Sequence, residues 1–142
     1  MKLPIAILLF VLGLGTGARA DGFVLIRNAK APAGTLSKAD VRALYTGKTK
    51  MAGNNIVVVV VPADAAAAFD AFVDQVFGIS AKTLLSKIKQ EVFKGEMAKP
   101  LKAASDDDVV HGVAGATGGY GVVSPQAAKS LPPNVVIVPV GG

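Results

Sequence analysis

The chain has 142 residues, with 15 Lys and Arg against 10 Asp and Glu, a formal charge of +5, and no cysteine. The missing thiols exclude disulfides, thiolate metal sites and cysteine nucleophiles. The lysines are spread along the sequence with little aromatic interleaving, so nucleic acid is not an expected partner.

Met1-Lys2, the apolar run from Ile5 to Leu14 and the triplet Ala18-Arg19-Ala20 have the form of a secretory leader with a small-x-small cleavage site. The run is too short to cross a bilayer as a retained anchor. Residues 1–20 are therefore expected to be removed as a signal peptide, taking the two charges of Lys2 and Arg19 with them. Residues 21–142 are enough for one compact domain and too few for two. An exported chain without disulfides has to be held by its hydrophobic core.

Phe23–Arg27 is a short apolar run and reads as the first strand, followed by a loop over Asn28–Thr35 that contains Pro32 and Gly34. Leu36-Ser37-Lys38-Ala39-Asp40-Val41 predicts a helix start: Ser37 as N-cap, Asp40 as its reciprocal partner and Leu36 stapled to Val41. Val41, Leu44 and Tyr45 form the stripe to be buried, and Gly47 ends the helix. Lys48–Asn54 reads as a polar loop.

Ile56–Val61 is six apolar β-branched residues with no polar alternation, the pattern of a strand covered on both faces. Pro62 ends it, and Asp64 is placed to cap a helix whose residues Phe69, Phe72, Val73, Val76 and Phe77 recur at helical spacing. Gly78 then stops that helix, and Ser80 caps another that runs through Leu84, Leu85, Ile88 and Val92 with lysines mostly off its stripe.

Lys94–Ala104 reads as a loop. Ser105 followed by Asp106, Asp107 and Asp108 reads as an N-cap with acids in the first turn, where they offset the positive helix terminus. A calcium loop would instead space its oxygen ligands around a glycine turn. Gly115–Gly121, GATGGYG, precedes a strand and lacks a following Lys-Ser/Thr, so it reads as a tight turn with close backbone packing, not as a phosphate cradle. Ser124-Pro125 opens a short helix, and Val135–Val140 is a last strand, broken by Pro139 and so placed near an edge. The order β-α-β-α-α-α-β-α-β predicts an α/β domain with a mixed sheet flanked by helices.

His111 is the only imidazole and stands four residues after Asp107, a spacing that reads as a surface helix pair. No nucleophile with a base, and no second histidine or cysteine ligand, can be assigned. Neither an enzyme nor a cofactor or metal is expected.

Leu36-Ser37-x-x-Asp40-Val41-x-x-Leu44-Tyr45-x-Gly47-Lys48, then Phe93-x-Gly95, then Ser105-Asp106-Asp107 and Val113 leading to Gly119-Tyr120-Gly121-Val122-Val123, resembles the periplasmic phosphate-binding-protein-like family of ABC transporter substrate-binding type, in a short single-domain form. The resemblance spans about Phe23 to Val140. It implies one lobe of a type 2 periplasmic binding fold, a periplasmic location, a membrane transporter as partner and capture of a small oxyanion such as phosphate. In that setting Ser37, Thr46, Lys48 and the Gly118-Gly119 backbone are the candidate ligand contacts, with Asp64 beside them.

The chain departs from the family where the oxyanion segment belongs. Val61-Pro62-Ala63-Asp64-Ala65-Ala66 has no arginine and no hydroxyl, and Asp64 is expected to occupy the helix amides that an anion needs. That departure supports a second expectation: a non-transport interaction module whose open face docks a partner protein or a second copy as a homodimer.

Overall fold

The computed structural model describes residues 22–32 and 34–141; the proposed signal peptide lies outside them. A five-stranded mixed sheet forms the centre, in the order β6 (Leu101–Ala103), β5 (Val58–Pro62), β7 (Gly119–Val123), β1 (Val24–Asn28), β8 (Val135–Ile137). β5 runs parallel to both β6 and β7, while β1 is antiparallel to β7 and to β8. Two-stranded pieces complete the fold: β2 (Leu36–Ser37) with β9 (Val140–Gly141), and β3 (Met51–Ala52) with β4 (Asn55–Ile56).

Side-chain alternation along the central strands sends two sets of residues to two cores. Leu25, Val59, Val61, Tyr120 and Val122 face three helices: α1 (Lys38–Tyr45), α2 (Ala67–Phe77) and α3 (Ala81–Phe93). Val24, Ile26, Val60 and Val123 face α4 (Asp106–Gly115). This is why the β5 segment carries no polar alternation. The first core centres on Phe72, whose ring lies 4.9 Å from Tyr45, 5.4 Å from Phe23, 5.8 Å from Phe69 and 5.9 Å from Phe77. Tyr45 is fully buried, its hydroxyl has no hydrogen-bond partner among the described residues, and burial pushes its pKa well above the ordinary phenol value.

The local signals place the helices. Ser37 Oγ accepts from the Asp40 amide at 3.1 Å while the Asp40 carboxylate accepts from the Ser37 amide at 3.0 Å, the reciprocal box expected at the start of α1. Ser80 and Ser105 cap α3 and α4, and Gly78 ends α2 in the left-handed conformation. Gly121 lets α4 settle on β7: a Cβ there would stand 2.6 Å from Val109 Cγ1 and 3.1 Å from Val113 Cγ2.

Four expectations are corrected. Ile56 is not part of the central strand: Gly53, at φ +66°, turns Met51–Ala52 back onto Asn55–Ile56, and this small hairpin leaves Ile56 exposed. Lys94–Ala104 is not all loop, since Leu101–Ala103 pairs with β5 as an edge strand. The last strand divides at Val138–Pro139, its first part joining β1 and its second β2. Asp64 caps nothing. The Ala63 amide is tied to the Ala103 carbonyl at 2.8 Å, the chain bends at Ala63 and Asp64 and is extended at Ala66, and α2 starts at Ala67 with no side-chain cap.

Candidate functional site

β5 leads through α2 and α3 on one face of the sheet to β6 on one side of it; β6 then leads through α4 on the other face to β7 on the opposite side. The connections leave for opposite faces at the carboxyl ends of the neighbouring strands β5 and β6, and open α/β sheets leave a crevice for ligands at such a point. A hollow of about 280 Å³ lies there, lined by Pro62, the Asp64–Phe69 segment, Ala103–Asp106, Val122 and Ser124.

Two helix N-termini meet this hollow, and they differ. At α4 the Ser105 hydroxyl oxygen accepts from the Asp108 amide at 3.2 Å, and the Asp108 carboxylate accepts from the Ala104 amide at 3.1 Å. The Asp106 carboxylate accepts from the Ser124 amide at 3.3 Å and from its hydroxyl at 2.7 Å, which fixes the turn after β7. That end thus carries a side-chain cap on the Asp108 amide and carboxylates in its first turn. At α2 the N-cap is Ala66, and the first intrahelical bond is Asp70 N–H to the Ala66 carbonyl. The amides of Ala67, Ala68 and Phe69 therefore precede any helical acceptor, and the helix dipole adds partial positive charge at the same place.

The charged side chains on the wall are Asp64 and Asp106. Ionised carboxylates only accept hydrogen bonds. The hollow thus offers backbone donors on one wall and carboxylate acceptors on another. That combination suits an oxyanion carrying a proton of its own better than a fully ionised one.

The residues singled out from the sequence do not converge. Ser37 is engaged as the α1 cap. Thr46 Oγ1 donates to the Arg42 carbonyl at 2.7 Å, and Thr46 and Lys48 line a different hollow, of about 780 Å³, between α1 and α3. The cations around that hollow are partly spoken for. Arg42 donates to the Val76 carbonyl at 2.8 Å, and Lys50 donates to the Gly47 and Glu96 carbonyls at 3.0 and 2.6 Å. Gly118 and Gly119 serve packing, since a Cβ on Gly118 would run into the Ile56 carbonyl and one on Gly119 would lie 2.9 Å from the Ala116 carbonyl. Asp64 alone of the six reaches the hollow at the strand ends. Asp106 and Ser124 joined it unforeseen; the sequence marked them as helix-start residues, and only Ser124, just past the Val122-Val123 strand, carried a signal of position, since the strand before Asp106 reads as loop.

His111 is exposed on α4 and forms no ion pair with Asp107 among the described residues. No group of three or more His, Cys, Asp or Glu side chains among the described residues could hold a metal ion.

Comparison with known proteins places the fold. No protein-family model matches the sequence, and a search of the curated proteins finds no match. Among solved structures, the chain is similar to a Clostridium perfringens protein assigned as a phosphate ABC transporter substrate-binding protein and solved with bound phosphate, at 23% identity and TM-score 0.61. It is also similar to an ABC-type phosphate transport receptor from Vibrio cholerae, at 14% and 0.53, and to a protein from Planctomyces limnophilus assigned to phosphate binding, at 16% and 0.54. Each match covers 84% of this chain but only 44%, 46% and 41% of the respective partner. The architecture is thus that of one part of a periplasmic-binding-protein fold, and the chain spans less than half the length of these neighbours.

Proposed function

We propose that this chain is a solute-binding lobe that receives a small protonated oxyanion, hydrogenphosphate being the leading candidate, at the uncapped start of α2. The observation that carries this reading is the open first turn at Ala67–Phe69, facing a hollow at the divergence point of the sheet. The fold shared with the phosphate-binding and phosphate-transport proteins described above supports it. Export through a leader over residues 1–20, a periplasmic location, the domain extent 21–142 and hand-over to a membrane transporter belong to the same proposal. Binding without chemistry is part of the same reading: the carboxylates are set to accept protons of a ligand, and the Ser124 hydroxyl and Asp106 hold the turn after β7 together.

Asp64 and Asp106 tune the choice of anion. Two unit charges about 4 Å apart repel by roughly 1 to 4 kcal/mol between water-like and surface-like dielectrics. A charge-assisted hydrogen bond returns about 1.5 to 3 kcal/mol, so an anion able to donate a proton to a carboxylate offsets the repulsion and one without a proton does not. Isothermal calorimetry of the purified chain with phosphate, sulfate and molybdate tests this. Heat with phosphate and none with sulfate is expected. Silence with phosphate at millimolar concentration would end the proposal.

A further inference from the structure

On the other side of Asp64–Phe69, where α2 and α3 pass over the ends of β5 and β6, a groove of about 600 Å³ opens. Its floor is apolar, made by Val61, Phe69, Leu85, Ile88 and Val92. Lys82 and Lys89 from α3, and Lys99 and Lys102 from the approach to β6 and from β6 itself, stand along it; the acids are Asp64 and Asp70, on the α2 side. All four lysines are exposed, and none forms an ion pair or a side-chain hydrogen bond among the described residues. Lys82, Ser86 and Lys89 share one stripe of α3, and the next residue on it is Phe93, which is 92% exposed. An exposed apolar ring therefore stands on the same helix stripe, one turn beyond the residues that line the groove.

From this arrangement we infer that the groove binds a single-chain amphipathic anion, a medium- to long-chain alkyl carboxylate, with the chain along the floor and the head among the lysines. The volume lies in the range of small-ligand sites, which are mostly apolar with a few placed polar groups. The charge pattern selects the class. A cationic amphiphile would meet four lysines, a neutral one would leave them unmatched, and an inorganic anion would leave the floor wet. The inference does not depend on the phosphate reading: the two hollows share the Asp64–Ala66 rim and Phe69, but the four lysines and the Leu85, Ile88 and Val92 floor belong to the groove alone.

Calorimetric titration of the purified chain with octanoate, decanoate and dodecanoate below their micelle concentrations tests it, with dodecyltrimethylammonium as the cationic counterpart and inorganic phosphate alongside. Affinity is expected to rise about fourfold for each added methylene. The cationic amphiphile should not bind. K89E/K102E, both at exposed positions, should weaken dodecanoate at least tenfold while leaving the circular dichroism spectrum and any phosphate heat unchanged. L85Q should remove the chain-length dependence. Absence of dodecanoate binding, equal binding of the cation, affinity independent of chain length, an unaffected double variant, or binding confined to acidic vesicles would each overturn the inference.

Discussion

Asp64 shows how one misplaced side chain can redirect a functional argument. As a cap it would hold stability and block the α2 amides; standing two residues before the true N-cap, Ala66, it does neither. D64N should therefore leave the unfolding free energy measured in urea unchanged to within about 0.5 kcal/mol, as expected for a surface position without a special role. The same variant should narrow the calorimetric preference for phosphate over sulfate, because it removes an acceptor-only charge from the hollow. Tyr45 gives a second prediction at this scale. Its hydroxyl is buried without a partner, and such a group costs about 1 to 3 kcal/mol. Y45F should gain about 1 kcal/mol at pH 7 by urea unfolding. Burial raises the Tyr45 pKa in the folded state, so the neutral phenol's contribution is complete below the unfolded value near 10 and is lost as pH rises above it. The advantage of Y45F should grow between pH 9.5 and 11 for that reason.

The helices were largely legible in the sequence because their signals are local. The box at Ser37 and Asp40, the caps at Ser80 and Ser105 and the stop at Gly78 each act within five residues of themselves. What escaped depends on partners far along the chain. Leu101-Lys102-Ala103 has no strand pattern of its own and is extended only because β5 lies beside it. Likewise the late start of α2 is imposed by Ala63 bonding to Ala103, forty residues away. The hollow was half legible: the segment Val61–Ala66, part of which lines it, was singled out through the family resemblance, but Asp106 and Ser124 came into view only once β5, β6 and β7 were set side by side. The close seat of α4 on β7 gives the prediction at this scale. G121A puts a methyl against Val109 and Val113 and should cost about 1 to 3 kcal/mol by overpacking, read as a lowered Tm. S105A should cost about 1 kcal/mol through the lost cap.

For the molecule as a whole, the two cores on opposite faces make the three inner strands the best protected part. Amide hydrogen exchange should be slowest in β5, β7 and β1, which are paired on both sides and covered on both faces, and faster in the edge strands β6 and β8. Within the inner set, the position of β1 matters most. It is the earliest strand among the described residues, yet its neighbours are β7 and β8, about a hundred residues later. A ribosome or an export channel releasing the chain from its N-terminus would have to deliver nearly all of it before the sheet could close, and such distant pairings slow folding. Until Ile137 emerges, the first strand has no mate on that flank, so a truncation before β8 should yield a chain that associates with itself instead of a slightly weakened monomer.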